Sequence, residues 1–173
     1  MIILVGASAS GKTEVAKYII REYGFEKMVT TTTRPMRDGE IQDVDYHFIS
    51  KEEFLKRKAN NEFLETTEYN GNFYGTHKSD IGERKIVILE YEGANIFYKE
   101  LGNRVTIYYL ESSEEMRIFH MRARGDSEEN IKKRIQSDRE RFSPKLLTHV
   151  DHIVDSDSKT IEELAKAIYE LYK

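Results

Sequence analysis

The stretch Ile2-Ile3-Leu4-Val5-Gly6-Ala7-Ser8-Ala9-Ser10-Gly11-Lys12-Thr13 decides the fold. Four apolar residues suited to a buried strand run into Gly6, and the spacing from Gly6 to Gly11, Lys12 and Thr13 fits G-x-x-x-x-G-K-[ST]. Downstream, Val15 and Ile19 fall on one helical stripe, and Gly24 stops it. Strand, glycine-bounded loop and helix in that order make a phosphate cradle: consecutive main-chain N–H groups across Gly6, Ala7, Ser8, Ala9, Ser10 and Gly11 point at an anion, at the positive end of the helix. Lys12 is expected to neutralise the β and γ phosphates, and the Thr13 hydroxyl to sit on Mg²⁺. Ala9 stands where phosphate loops often use glycine, so a negative φ is expected there. A chance Gly-Lys-Thr at a turn is the alternative, and the flanking strand and helix argue against it.

At 173 residues the chain is long enough for one sizeable core, and a single domain with small mobile lobes is expected. The absence of cysteine removes disulfides and thiolate metal sites from consideration and is compatible with a reducing cytoplasm. An apolar strand beginning at Ile2 leaves no room for a signal peptide, and no apolar run approaches membrane-spanning length. The expectation is a cytoplasmic protein, monomer or homodimer, with no membrane partner. A net charge of −4 argues against a general grip on nucleic acid. Its cations cluster at Arg34 to Arg37 and between Arg117 and Arg141, which suits a small anion.

Further along, Phe25 to Val29 reads as a second strand and Thr30 to Asp43 as a polar loop with turn signals. Tyr46 to Ile49 alternates like a strand, and Ser50 with Glu53 forms a capping box that opens a helix to about Asn60. Phe63 to Tyr69 and Asn72 to Tyr74 flank Asn70-Gly71, a strong hairpin signal. Ile86 to Leu89 suits a strand buried on both faces, ending in Glu90. A helix over residues 93 to 101 closes at Gly102, Val105 to Leu110 gives another strand, and Ser112 or Ser113 caps the next helix. Arg117 to Arg141 is mostly helical with apolar residues too sparse for a core face, and is expected to be exposed and movable. His152 to Val154 is a last strand, followed by an amphipathic helix with Ile161, Leu164, Ile168 and Leu171 inward. Strands alternating with helices behind a phosphate loop imply a three-layer α/β, P-loop NTPase fold with a parallel core sheet and ligands at the strands' carboxyl ends. The remaining histidines, His47, His77, His149 and His152, lack partners at metal spacing and are read as non-ligands.

The second informative stretch runs Thr30-Thr31-Thr32-Thr33-Arg34-Pro35-Met36-Arg37, then Gly39-Glu40 and Tyr46-His47-Phe48. Two guanidinium groups three residues apart, with a phenol following, form a set able to clamp a phosphate. With the cradle, this stretch resembles the guanylate kinases, whose signature runs T-[ST]-R-x-x-[KR], G-E and Y-x-F. Glu65, the run Gly71-Asn72-Phe73-Tyr74-Gly75-Thr76, Gly93-Ala94, Arg124-Gly125 and Arg134 extend the resemblance in order over nearly the whole chain.

The resemblance implies a core of about residues 1–29, 83–116 and 142–173, an α+β insert binding a nucleoside monophosphate over about 30–82, and a helical lid over about 117–141. It implies transfer of the γ-phosphoryl of MgATP to GMP or dGMP, giving ADP and GDP. The acceptor phosphate would be held by Arg34, Arg37, Tyr46 and Tyr74, and the guanine by Thr30, Glu65, Gly75 and Thr76. Guanine's N1–H and exocyclic amine are donors, which a carboxylate accepts and adenine would leave unpaired. Lys12, Arg34, Arg124 and Arg134 would be catalytic, and Glu90 would hold Mg²⁺ through water. The chain departs from the pattern at Ile88, which replaces an Asp of the family, and at His120, which replaces an arginine. Two alternatives stay open: a related kinase acting on another phosphorylated acceptor such as ribose 1,5-bisphosphate, and a non-catalytic module that binds phosphopeptides.

Overall fold

The computed structural model describes residues 1–69, 71–141 and 143–173. Its frame is a five-stranded parallel sheet of β1 (Ile2–Val5), β2 (Glu26–Lys27), β7 (Lys85–Ile88), β8 (Thr106–Glu111) and β9 (His152–Asp155), in the order β2-β7-β1-β8-β9. The central strand β1 is buried along its length, and its side chains alternate between two apolar layers. Ile2 and Leu4 pack with Val15 and Ile19 of α1 (Lys12–Tyr23) and with Leu164, Ala165 and Ile168 of α6 (Ile161–Tyr172). Ile3 and Val5 face Ala94 and Phe97 of α3 (Tyr91–Leu101). This is the expected three-layer arrangement, and it carries the loop after β1 and the segment after β7 to the same edge of the sheet. Leu4 pairs with Ile88, and Leu89 donates its N–H to the Leu4 carbonyl at 3.1 Å, so Glu90 emerges beside the phosphate loop.

A second, four-stranded sheet joins β3 (Thr31–Thr32), β4 (His47–Phe48), β5 (Phe63–Tyr69) and β6 (Asn72–His77) in the order β4-β3-β6-β5. The hairpin of β5 and β6 forms as expected, with Tyr69 opposite Asn72; Asn70 of its turn lies outside the described residues. Helix α2 (Lys51–Ala59) starts at Ser50, whose hydroxyl accepts the Glu53 N–H at 3.1 Å. The Glu53 carboxylate bonds Arg57 at 2.7 Å, one turn on. Phe54 of α2 stacks on Phe63 and Phe73, with ring centroids 4.5 and 5.4 Å away. Gly75 passes beneath it: a Cβ there would lie 3.0 Å from the Glu65 carbonyl and 3.2 Å from Phe54, a tight fit that glycine relieves.

Several expectations are corrected. The strand expected over Phe25 to Val29 is only Glu26–Lys27, although Phe25 and Met28 on either side are buried. The polar loop from Thr30 hides strand β3, whose Thr31 and Thr32 are buried between β4 and β6 because ladder bonds satisfy a threonine backbone as well as a valine one. Ile161 and Leu171 of α6 are exposed, and Ala165 takes the inner place beside Leu164 and Ile168. The charged stretch from Arg117 is two helices, α4 (Glu114–Ala123) and α5 (Glu128–Arg141), and they do have a core face. Met121, Ile131 and Ile135 are buried there, packed on Ile118 and on Ala9 of the phosphate loop.

Candidate functional site

The loop from Gly6 to Thr13 leaves β1 and turns into α1. At Gly6, φ is +151°, and a Cβ would lie 2.6 Å from the Leu110 carbonyl, so the turn out of the sheet requires glycine. Gly11 (φ +90°) occupies the N-cap of α1, which leaves the first helical N–H groups available to an anion. Ala9 has φ +63°, against the negative value expected from its type. An L-residue pays roughly 1–2 kcal/mol for that region and stays there only when its surroundings hold it. The holding groups come from α4 and α5. Asp138 accepts the Ser8 N–H at 2.9 Å and the Ser8 hydroxyl at 3.1 Å, and His120 Nδ1 lies 3.2 Å from the Ala9 carbonyl as its donor.

Lys12 folds back over this loop. Its ammonium donates to the carbonyls of Gly6 at 2.7 Å and Ala7 at 2.6 Å, and lies 3.3 Å from the Ser10 hydroxyl. Burial lowers its pKa to about 8; the carboxylates of Asp138 and Glu90 oppose that shift and the Arg117 guanidinium adds to it. Thr13, exposed in the first turn of α1, and Glu90, exposed at the head of α3, supply hard oxygen donors on the cradle's side of the sheet. Among the described residues, no group of three or more His, Cys, Asp or Glu side chains is placed to hold a metal. A hydroxyl and a carboxylate alone fit Mg²⁺, which keeps most of its coordination for water and substrate phosphate.

Between the two sheets lies a cavity of about 740 Å³. Thr30, Tyr46, Glu65, Tyr74 and Gly75 line one side, and Ile88 and Glu90 the other. Hydrogen-bond register places Glu65 opposite Thr76, and the Thr76 hydroxyl donates to the Glu65 carboxylate at 2.8 Å. Burial raises the Glu65 pKa, with the Thr76 bonds working against that rise. Arg34 does not line this cavity; its side chain is largely covered, the guanidinium over the rings of Tyr46 and Phe48 at 5.5 and 5.6 Å. It bonds the Glu40 carboxylate at 2.6 Å, and the other oxygen of Glu40 accepts the Arg37 N–H at 2.7 Å. Glu40 thus bridges the two arginines through one side chain and one amide, and both contacts lower its pKa. Tyr74 stands edge-on to Tyr46, 6.3 Å away, while the Arg37 side chain is exposed.

The two arginines expected in the lid are not gathered at the cradle. Arg124, at the end of α4, is exposed and bonds Asp126 at 2.8 Å; Arg134 is exposed on α5. Arg117 and Asp138 occupy the interior instead, joined at 2.7 Å. Sequence reading passed over this pair, and over Glu40 as a partner of Arg34. The signal for Asp138 was its spacing after Ile131 and Ile135, at i+7 and i+3, on the apolar stripe of α5; Arg117 precedes Met121 by four on the stripe of α4. Among the other histidines, His47 contacts Asp43 at 2.7 Å, His77 contacts Glu62 at 3.1 Å and His149 contacts Asp151 at 2.9 Å.

Comparison with known proteins gives the same direction over the full length. The family described as guanylate kinase matches residues 1–171. A guanylate kinase of Symbiobacterium thermophilum is 34% identical over 179 aligned residues, covering 99% of this chain and 82% of that protein. One from Clostridium tetani is 35% identical over 144 residues, covering 79% and 69% respectively. Among solved structures, that of guanylate kinase from Anaplasma phagocytophilum superposes with a TM-score of 0.69 at 24% identity, covering 99% of this chain and 82% of that one. No helix among the described residues is long and apolar enough to cross a membrane.

Proposed function

The chain belongs to the guanylate kinase family, and from that premise we propose that it transfers the γ-phosphoryl group of MgATP to GMP in the cavity between its two sheets. One observation carries the proposal. The loop of residues 6–13 and the cavity between the sheets lie at the same edge of the parallel sheet, with Glu90 beside the one and lining the other, which supports reading the loop as the triphosphate's cradle and the cavity as the acceptor's pocket. The donor's phosphates take N–H groups of the Gly6 to Thr13 loop other than that of Ser8, which Asp138 holds at 2.9 Å, and Lys12 leaves its own loop's carbonyls to meet them. The acceptor's phosphate takes the place of the Glu40 carboxylate on Arg34 and the Arg37 amide, while Tyr46 and Tyr74 supply hydroxyl donors. Glu65 accepts guanine's N1–H and amine, and Thr76 fixes the carboxylate's orientation.

Thr13 and Glu90 are the residues that would hold Mg²⁺, Glu90 through water; the ion supplies charge neutralisation on the transferred phosphoryl. Residues 30–82 serve as the acceptor-binding insert and 117–141 as the lid, the rest being core. Closing them excludes the water that would otherwise take the phosphoryl group. Arg124 and Arg134 act only after that closure, when Arg124 gives up Asp126. The protein works as a cytoplasmic enzyme on small nucleotides, with no nucleic acid or membrane partner.

The test is coupled ADP release with ATP, Mg²⁺ and a panel of GMP, dGMP, AMP, UMP and ribose 1,5-bisphosphate. GMP and dGMP are expected to be used and the others not. Glu65→Gln should lower GMP use by about 10²- to 10³-fold in kcat/KM, since it presents an amide N–H to guanine's donors. Lys12→Ala should fold normally and lose turnover. Use of ribose 1,5-bisphosphate in preference to GMP, or full activity of Lys12→Ala, would overturn the reading.

A further inference from the structure

We propose that Asp138, held in place by Arg117, is a positioning residue for the donor nucleotide: it fastens the lid helices to the phosphate loop and keeps Ala9 in the backbone conformation that the cradle needs. The inference rests on the reading of residues 6–13 as the ATP site.

Three contacts converge on two residues of the loop, and a fourth, from Arg117, holds the carboxylate that makes two of them. One carboxylate oxygen of Asp138 accepts both the Ser8 N–H at 2.9 Å and Arg117 Nη1 at 2.7 Å, and the other accepts the Ser8 hydroxyl at 3.1 Å. On the far side of the next peptide, His120 meets the Ala9 carbonyl at 3.2 Å. Ala9 is therefore gripped before and after its own φ, the one dihedral of the loop that its side chain disfavours. The Arg117 and Asp138 side chains are 8% and 5% exposed, on helix faces that otherwise carry Met121, Ile131 and Ile135. Apolar residues of similar volume would complete that cluster, and buried ion pairs are often replaced so without loss of stability. Packing alone does not call for this pair, whereas the Ser8 amide, pointing into the helix pair, requires an acceptor. The Nε of Arg117 is buried with no partner among the described residues, a second sign that the guanidinium is placed for its bond to Asp138 rather than for its own solvation. The sequence separation of 130 residues between Ser8 and Asp138 makes this a link between the two ends of the catalytic unit.

The experiment measures ATP affinity by equilibrium titration without acceptor, with thermal midpoints alongside, for the unaltered chain, Asp138→Asn, Asp138→Ala and the paired change Arg117→Met with Asp138→Leu. Each is made with Ala9 and with Ala9→Gly. With Ala9 present, Asp138→Ala and the paired change should weaken ATP about ten-fold, with the KM for GMP within about two-fold of the unaltered chain. Asp138→Asn, which preserves volume and one acceptor, should weaken ATP about three-fold and reads the proposal should the larger changes fail to fold. Ala9→Gly should restore most of each loss, because glycine enters the left-handed region without help. A purely structural role would lower the thermal midpoint and gain nothing from that glycine. Unchanged ATP affinity in a folded paired variant or in Asp138→Asn, or losses that Ala9→Gly leaves in place, would overturn the proposal. GMP turnover by the unaltered chain is read in parallel: its absence with ATP still bound would remove the kinase reading and leave the titration to judge the loop.

Discussion

Lys12 is the titratable residue of the Gly6 to Thr13 loop, and the fold shifts its titration. Three oxygens of its own loop accept its N–H groups, and burial, outweighing the Asp138 and Glu90 carboxylates, brings its pKa to about 8 from the ordinary 10.5. Between those two values the unfolded chain binds more protons than the folded one, so stability rises with pH across the window; below 8 the full cost of burying the charge remains, roughly 3 kcal/mol. On the proposed function, donor phosphates would reverse the balance by favouring the ammonium. ATP binding at pH 8 should therefore draw about half a proton from solvent at this site. Calorimetry in two buffers of different ionisation enthalpy measures it, and the uptake should vanish in Lys12→Met. No uptake by the unaltered chain would separate Lys12 from the phosphates. The residues of this site that sequence showed plainly were those whose roles are local: Gly6 and Gly11 for backbone turns, Lys12 and Thr13 by their position after them. Arg34 was visible too, but its engagement with Glu40 was not, since both lie in a segment without periodicity.

At the level of elements, local chemistry sets the ends and burial sets the rest. Helix α6 opens with a full capping box, the Thr160 hydroxyl accepting the Glu163 N–H at 3.2 Å and the Glu163 carboxylate accepting the Thr160 N–H at 2.9 Å. It lies across α1 on the sheet face opposite α3. Thr160→Ala should cost about 1 kcal/mol, read as a lower denaturant midpoint at unchanged slope, with the KM for GMP unaffected. A shifted KM would mean that α6 communicates with the acceptor cavity. Helices α4 and α5 make the contrast. Their apolar stripes are interrupted by Arg117 and Asp138, so a reading by hydrophobic period alone finds an exposed, charged segment where the structure has a buried seam. Strand β3 escaped for a related reason: four successive threonines carry no alternation, and only the ladders to β4 and β6 make a strand of two of them.

For the whole molecule, the loop of residues 6–13 belongs to the parallel sheet and Arg34 and Arg37 follow β3 of the small one, and a cavity lined by Thr30, Tyr46, Glu65, Tyr74, Ile88 and Glu90 opens between the two sheets. On the proposed in-line transfer, the small sheet is expected to move toward the core when both sites fill. Small-angle scattering should show a smaller radius of gyration with GMP and a non-hydrolysable ATP analogue together than with either alone; identical radii in all states would remove the closure step. The sequence by itself determined the order of the core strands and of the helices that cover them, the glycine-bounded loop after β1, the cap at Ser50 and the chemical types lining the cavity, because each depends on neighbours within a few positions. Only the tertiary structure decided that Ala9 is left-handed, that Glu40 occupies the clamp and that Asp138 reaches Ser8. Those outcomes depend on which distant groups the packed helices bring to a backbone amide, and no local pattern encodes that.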